Sequence, residues 1–319
     1  MDESLSFSSI TEAAQVLRGV AHVTPVFISR QLDSMVSGKV FLKCENFQRT
    51  GAFKFRGAYN ALSQLKSLRR TKAVATLSSG NHGQGIALAA HLLGLSAHVV
   101  MPKPVSSLKH RAVVGYGGIV WLSENRQTAE EKILEIVMQE HAAYVHAFND
   151  PHVMAGQGTI MLELLDEIEA LDVLLAPVGG GGLLSGLCVA GHHLRPTLKV
   201  FACEPEGAWD AAESIRLNRI IPMPDPKTMA DGLRTSLGSR TLPILREHLA
   251  GVFQASEQDI LQAMRFAYER LKLVIEPSAA VALVPVLRAE KELLGKCIGV
   301  VLTGGNVDLD SLWNSLERK

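Results

Sequence analysis

Asp172-Val-Leu-Leu-Ala-Pro-Val-Gly-Gly-Gly-Gly-Leu183 is the stretch that decides the fold. Its apolar residues up to Ala176 read as a buried strand, and Leu183 to His192 reads as a helix. Between them, Gly179 to Gly182 form a strand-to-helix turn with no side chains. Successive glycines let the backbone approach a ligand closely, and the N–H groups and dipole at a helix start suit an anion. A flexible turn is the bland alternative, a fair reading of two glycines and a poor one of four. Val173 to Gly191 carries no charge, but Pro177 and the glycines inside it are ill suited to an isolated membrane-spanning helix. A nucleotide loop fits less well. The third glycine of a GxGxxG register would fall on Leu184 or Ser185, and no GxxxxGK[ST] occurs.

The same strand–helix alternation continues on both sides. Ala73 to Leu77, Ala97 to Met101 and Ile119 to Leu122 read as strands, alternating with helices over Gly83 to Leu93, Ser107 to Val114 and Thr128 to Glu140. Downstream, Lys199 to Cys203 and Cys297 to Leu302 read as strands, with helices over Glu257 to Leu271 and Ser278 to Arg288. The proline-rich segment Asn218 to Lys227 reads as a surface loop. This is the pattern of βαβ units and parallel sheets. It predicts an α/β chain of two lobes with a ligand cleft at the carboxyl ends of the strands.

Composition narrows the function classes. The 319 residues are 47% hydrophobic and carry 32 Lys+Arg against 32 Asp+Glu, so no basic field points to nucleic acid or a membrane surface. Cys44, Cys188, Cys203 and Cys297 are far apart and form no CxxC pair, which favours reduced thiols over a disulfide framework or a zinc site. The acidic, polar start Met1-Asp-Glu-Ser-Leu-Ser does not read as a signal or transit peptide. The expectation is a soluble, cytoplasmic protein.

Three further stretches carry chemistry. In Gly51-Ala-Phe-Lys-Phe-Arg-Gly-Ala58, Lys54 lies between Phe53 and Phe55, a context that favours a partly buried amine of lowered pKa. Ser78-Ser-Gly-Asn-His-Gly-Gln84 follows a strand and precedes a helix, so its hydroxyls and N–H groups form an anion nest; alone it is equally a polar loop. In Leu302-Thr-Gly-Gly-Asn306, the Thr303 hydroxyl reads either as a partner for a ring nitrogen or as a helix cap. One amine, two anion cradles and a hydroxyl at a glycine turn are together what holds pyridoxal phosphate. Glu204, Ala208 and Asp210 offer two carboxylates and a carbonyl to a hard cation, though capping carboxylates are commoner. Glu276-Pro-Ser278 reads as the start of a helix with Ser278 as N-cap.

As a set, these motifs resemble the fold-type II pyridoxal-phosphate enzymes (tryptophan synthase β-like), specifically the serine/threonine dehydratase and serine racemase family. The resemblance spans nearly the whole chain, from Lys43-Cys-Glu-Asn-Phe-Gln-Arg-Thr-Gly51 to Gly304-Gly-Asn-Val-Asp308, through Ala155-Gly-Gln-Gly-Thr159, Ala230-Asp-Gly-Leu-Arg-Thr235 and Val274-Ile-Glu-Pro-Ser278. It implies a large cofactor-binding domain over 1–68 and 147–319, a small mobile domain over 69–146, no regulatory domain, and a homodimer. It further implies Lys54 as the imine lysine, Phe53 against the cofactor ring, and Asn81 on the phenolic oxygen. Gly179, Gly180, Gly181, Gly182 and Leu183 would hold the phosphate, with Thr303 at the pyridine nitrogen. Ser78, Ser79, Asn81 and His82 would take the substrate, Ser79 as the acid/base opposite Lys54. Glu204, Ala208 and Asp210 would bind Mg2+, Ca2+ or Mn2+. Thr303 stands where many relatives have Ser or Cys, keeping the hydroxyl. Ala129 aligns with an arginine of the serine racemases, and His146-Ala-Phe-Asn149 looks like the dehydratase branch. The expected reaction is dehydration of L-threonine or L-serine, with side racemisation. The alternatives are a 3-hydroxyaspartate dehydratase whose second carboxylate meets Arg56, Arg111 or Arg234, a racemase, or a non-catalytic cofactor-binding protein.

Overall fold

The computed structural model describes residues 4–68 and 71–308. The first residues of the polar amino terminus and the expected domain start at residue 69 therefore lie outside the described residues. The strands are β1 (Val26–Ile28), β2 (Lys39–Cys44), β3 (Ala73–Leu77), β4 (Ser96–Pro102), β5 (Ile119–Ser123), β6 (Ala143–Tyr144), β7 (Val173–Pro177), β8 (Lys199–Pro205), β9 (Leu249–Ala255) and β10 (Cys297–Leu302). They form a six-stranded sheet of order β1-β2-β10-β7-β8-β9 and a four-stranded sheet of order β5-β4-β3-β6. Every pairing is parallel except the antiparallel β1–β2. The small sheet is a contiguous insertion between β2 and β7 of the large one.

β7 is buried at every position because the large sheet is covered on both faces. Side chains of a strand point alternately to opposite faces. Val173 and Leu175 accordingly join one apolar core with Ile298, Val300 and Leu302 of β10, while Leu174 and Ala176 join a second with Val200, Ala202 and Val301. In β3 the same alternation sends Val74 to one core and Ala73 and Ala75 to another.

The strands and helices expected from Ala73 to Cys203 are present with ends shifted by a few residues, and Asn218 to Lys227 is irregular. Two expected helices differ. Glu257–Phe266 is α-helical but continues as a π turn over Ala267–Leu271, closed by Lys272 at φ 59°. The helix expected over Ser278 to Arg288 is three short pieces, Pro277–Ala280, Val281–Leu283 and Val284–Leu287. Pro285 has no N–H to donate back along the chain, so an unbroken helix cannot pass it.

The helix that positions the site, Lys54–Ser67, was not among the expected elements. It crosses the helix Pro151–Glu167 at glycines on both sides. A Cβ on Gly156 would stand 2.6 Å from the Arg56 carbonyl oxygen, and one on Gly57 2.4 Å from Gln157 Nε2. Arg56, 1% exposed, anchors this crossing through Glu45 Oε1 at 2.8 Å and Glu163 Oε1 at 2.6 Å, while Lys43 Nζ reaches Glu163 Oε2 at 2.7 Å. The start of the helix, and Lys54 with it, is thereby fixed against the large sheet.

Candidate active site

The carboxyl ends of the two sheets face a common cleft of about 670 Å³. Phe53, Lys54, Ser78, Ser79, Asn81, His82, Gly179 to Leu183 and Thr303 all line it, so four segments far apart in sequence converge there. A volume of this size suits a small ligand or cofactor.

Lys54 is the first residue of its helix. Its Nζ donates to the Ala147 carbonyl oxygen at 2.9 Å and lies 5.2 Å from the centroid of the Phe53 ring. Burial pushes the amine down to about 8, with the Glu276 carboxyl opposing. A lysine so placed loses its proton far more readily than a solvated one, as the Phe-Lys-Phe context predicts.

The Ser78 to His82 segment turns from β3 into the helix Asn81–Leu93. The Ser78 hydroxyl accepts from Gly80 N at 3.2 Å and Gly83 N at 3.1 Å, which shapes the turn. Ser79 stands in the cleft wall beside it. The His82 ring is buried, and burial and Lys54 hold its pKa well below the usual range. That ring is neutral and neither of its nitrogens has a hydrogen-bond partner, so this residue offers an anion one ring N–H besides its backbone N–H at the helix start.

The tetraglycine loop is built tightly. A Cβ on Gly180 would sit 2.2 Å from the Phe148 ring, and one on Gly182 2.7 Å from the Phe148 carbonyl oxygen. Gly181, at φ +87°, is held beside Thr241, whose Oγ1 donates to the Gly180 carbonyl oxygen at 2.8 Å. The helix that follows, Gly182–Leu194, points its first N–H groups toward the cleft. Thr303 directly follows β10, 3% exposed, and its carbonyl oxygen accepts from Phe53 N at 3.0 Å. This bond ties the Thr303 segment to the lysine segment.

Sequence reasoning passed over several cleft residues. Glu276, read as a helix start, is a buried carboxyl whose Oε1 accepts from Asn81 Nδ2 at 2.6 Å. Burial raises it to about 7, with Lys109 opposing and Asp231 adding. His146 accepts at Nδ1 from Asn149 N at 3.0 Å, and burial and Lys54 push it down to about 4. Lys109 ion-pairs with Asp231 across the cleft. The signal for Glu276 was available, since a carboxylate between Ile275 and Pro277 has little reason to be a surface group.

The arginines sort by position. Arg56 belongs to the buried ion network, and Arg111 lines a separate surface groove with Lys103 and His110. Arg234 lines the cleft and donates through Nε to the Thr228 carbonyl oxygen at 2.9 Å. Arg126, which the sequence did not single out, also lines the cleft, paired with Glu130 at 3.0 Å. It sits one helical turn before Ala129, on the same face of its helix.

Glu204, Ala208 and Asp210 lie away from the cleft, at the end of β8 and the short helical turn Glu206–Ala208. Glu204, 0% exposed, accepts from Ala211 N at 3.1 Å, Ala212 N at 3.3 Å and Gln254 Nε2 at 3.0 Å. Asp210 Oδ2 is buried with no hydrogen-bond partner. Burial raises both carboxyls to about 7. Among the described residues no cluster of three or more His, Cys, Asp or Glu side chains is present. The donor set here is thus two carboxylates and backbone carbonyls.

Residues 17–304 match the family described as pyridoxal-phosphate dependent enzyme. The chain is 42% identical over 315 residues to serine racemase of Arabidopsis thaliana, covering 97% of this chain and 95% of that one. It is likewise 42% identical over 307 residues to L-threo-3-hydroxyaspartate ammonia-lyase of Saccharomyces cerevisiae, covering 95% and 94%. The crystal structure of T.th. threonine deaminase superposes with a TM-score of 0.89 at 40% identity, covering 95% of this chain and 99% of that one. With its lysine, its two anion cradles and its paired parallel sheets, this chain belongs to the fold-type II pyridoxal-phosphate-dependent enzymes, in the group of serine racemases and hydroxy-amino-acid ammonia-lyases.

Proposed function

We propose that the protein eliminates water from a β-hydroxy-α-amino acid, L-threonine or L-serine, to give a 2-oxo acid and ammonia, with racemisation as a side reaction. The observation that carries this reading is the Lys54 amine, held near neutrality in one cleft with the tetraglycine loop and the Ser78 to His82 turn. The residues fit pyridoxal phosphate, because a loop packed so closely on Phe148 that a Cβ at Gly180 or Gly182 would strike it presents bare backbone to the cleft. Lys54 would hold its aldehyde carbon, Gly179 to Leu183 its phosphate, Asn81 its phenolic oxygen and Thr303 its pyridine nitrogen, with Phe53 against the ring. When bound, the cofactor supplies the electron sink for negative charge at the substrate α carbon.

The chain's own residues do the rest. N–H groups of the Ser78 to His82 turn orient the substrate carboxylate. Lys54 takes the α proton, the β-hydroxyl leaves with a proton as water, and the released enamine hydrolyses to 2-oxo acid and ammonia. Thr303 offers a hydroxyl where a carboxylate would fix a ring proton, which favours rapid elimination over a long-lived carbanion. Ser79, in the cleft wall, returns a proton in the side reaction. Residues 69–146 act as a small mobile unit, and the enzyme works as a cytoplasmic homodimer on a small amino acid. A hard cation, Mg2+, Ca2+ or Mn2+, fits Glu204, the Ala208 carbonyl and Asp210, whose Oδ2 lacks a partner in the protein.

A second reading, elimination from 3-hydroxyaspartate, is favoured by Arg126 and Arg234 in the cleft lining, which supply positive charge for a second carboxylate. Release of 2-oxo acid from L-threonine, L-serine, their D-forms and the 3-hydroxyaspartate isomers, with magnesium present, separates the readings. Fastest turnover of L-threonine or L-serine supports the first, and preference for a hydroxyaspartate supports the second. No turnover of any of them by the cofactor-loaded enzyme would refute both. Lys54→Ala is expected to lose all turnover.

A further inference from the structure

Glu276 and Asn306 have no part in the scheme above, yet together they enclose Asn81. Glu276 is 3% exposed, and its backbone N–H donates to the Gly304 carbonyl oxygen at 2.9 Å. Its Oε1 accepts from Asn81 Nδ2 at 2.6 Å, while its Oε2 is buried with no hydrogen-bond partner. On the other side, Asn306 Nδ2 donates to Asn81 Oδ1 at 2.9 Å and to the Thr50 carbonyl oxygen at 2.7 Å. Gly51, at φ +71°, makes room for this amide, because a Cβ there would stand 2.6 Å from Asn306 Oδ1.

The network fixes which way each amide points. Both hydrogens of Asn306 Nδ2 have acceptors, so the Asn81 oxygen faces Asn306 and the Asn81 nitrogen faces Glu276. One Asn81 hydrogen goes to Glu276, and the other is left for the cleft. Asn81 opens the helix after β3 of the small sheet, whereas Glu276 and Asn306 come from segments joined to the large one. The two hydrogen bonds therefore span the sheets.

Resting on the reading that Asn81 meets the cofactor's phenolic oxygen, we propose that Glu276 and Asn306 are positioning residues that lock the Asn81 amide with one N–H toward that oxygen, and that the charge on Glu276 sets how strongly this N–H is donated. A carboxylate accepting at Oε1 pushes electron density into the amide and weakens its second N–H; a neutral carboxyl does so less. With Oε1 already accepting, the proton of the neutral form sits on Oε2. The charged groups facing Glu276 are Lys54, Lys109 and Asp231, and burial brings its titration to about 7, within reach of ordinary buffers.

The test is the visible absorption of the cofactor-loaded enzyme across the neutral pH range, in the wild type and in Glu276→Gln, Asn306→Ala and Asn81→Ala. A pH-dependent band shift in the wild type that Glu276→Gln abolishes is expected, with Asn81→Ala moving the band at every pH. Asn306→Ala should move the band in the same direction as Asn81→Ala, by less, and weaken cofactor retention roughly three- to tenfold. It also serves as the second variant should Glu276→Gln not fold. If Asn81→Ala moves the band but the Glu276 and Asn306 variants keep the wild-type band and its pH dependence, the positioning role is wrong. If Asn81→Ala leaves the band unmoved, the reading of Asn81 fails first and the proposal with it.

Discussion

At the scale of single residues, Lys54 shows what burial does to an amine. Its folded value of about 8 lies below the ordinary 10.5, because water that would stabilise the charged form is displaced and Glu276 restores only part of the loss. Between these values the unfolded chain binds more protons than the folded one, so rising pH stabilises the fold across the window from about 8 to 10.5. The gain is at most about 3 kcal/mol. It should appear as the difference between cofactor-free wild type and Lys54→Met in denaturant melts at pH 8 and pH 10. A constant difference between the two proteins would mean that Lys54 is as solvated as any surface lysine. Ser79→Ala should reduce racemisation and turnover of D-substrates more than dehydration of L-substrates, measured as separate 2-oxo acid and enantiomer assays.

At the scale of elements, the glycine loop and the carboxylate pair make different demands. Gly180→Ala would drive a methyl to 2.2 Å from the Phe148 ring, a clash that the packed loop can relieve only by moving its N–H groups. Overpacking of this kind costs about 1–3 kcal/mol, so lower thermal stability and weaker cofactor retention are expected together. Glu204 and Asp210 are two carboxyls whose pKa burial raises, Glu204 also through the charge of Asp210. Magnesium should raise the melting temperature of the wild type, and Asp210→Asn should lose most of that increment; equal increments in both would remove Asp210 from the proposed cation site. The sequence made these elements legible to unequal degrees. Buried parallel strands such as β7 are continuous apolar runs, and the tetraglycine loop stands out beside one. The helix Lys54–Ser67 was missed because Gly57 and Arg56 break its apolar stripe, and both are explained only by the crossing with Pro151–Glu167 and the buried carboxylates. Pro285 did mark the break in the last helix, but its neighbours' strong apolar character outweighed it.

At the scale of the whole molecule, the cleft is assembled from two sheets that share an apolar core through Phe55, Leu62, Val74 and Ile86, and polar pairs cross at the cleft itself. Asn81 with Glu276 and Asn306, and Lys109 with Asp231, join the small-sheet side to the large-sheet side. None of these pairings was visible in the sequence, because their partners are 122 to 225 positions apart and only the folded sheets bring them together. Lys109 is 5% exposed, so removing its partner strands a buried ammonium, while replacing the lysine leaves a half-exposed carboxylate that water can reach. Asp231→Asn should therefore weaken the closed arrangement more than Lys109→Met. In either variant, backbone amides of β3 to β6 should exchange faster with solvent while those of β7 and β10, buried on both faces, keep their protection. Hydrogen exchange followed by mass spectrometry measures both sets at once. Substrate should slow exchange in the small sheet of the wild type, and the Asp231 variant should require more substrate for the same protection, with KM raised more than kcat is lowered. Equal acceleration in both sheets would instead mean that the ion pair stabilises the fold as a unit and does not govern how the small sheet closes on the cleft.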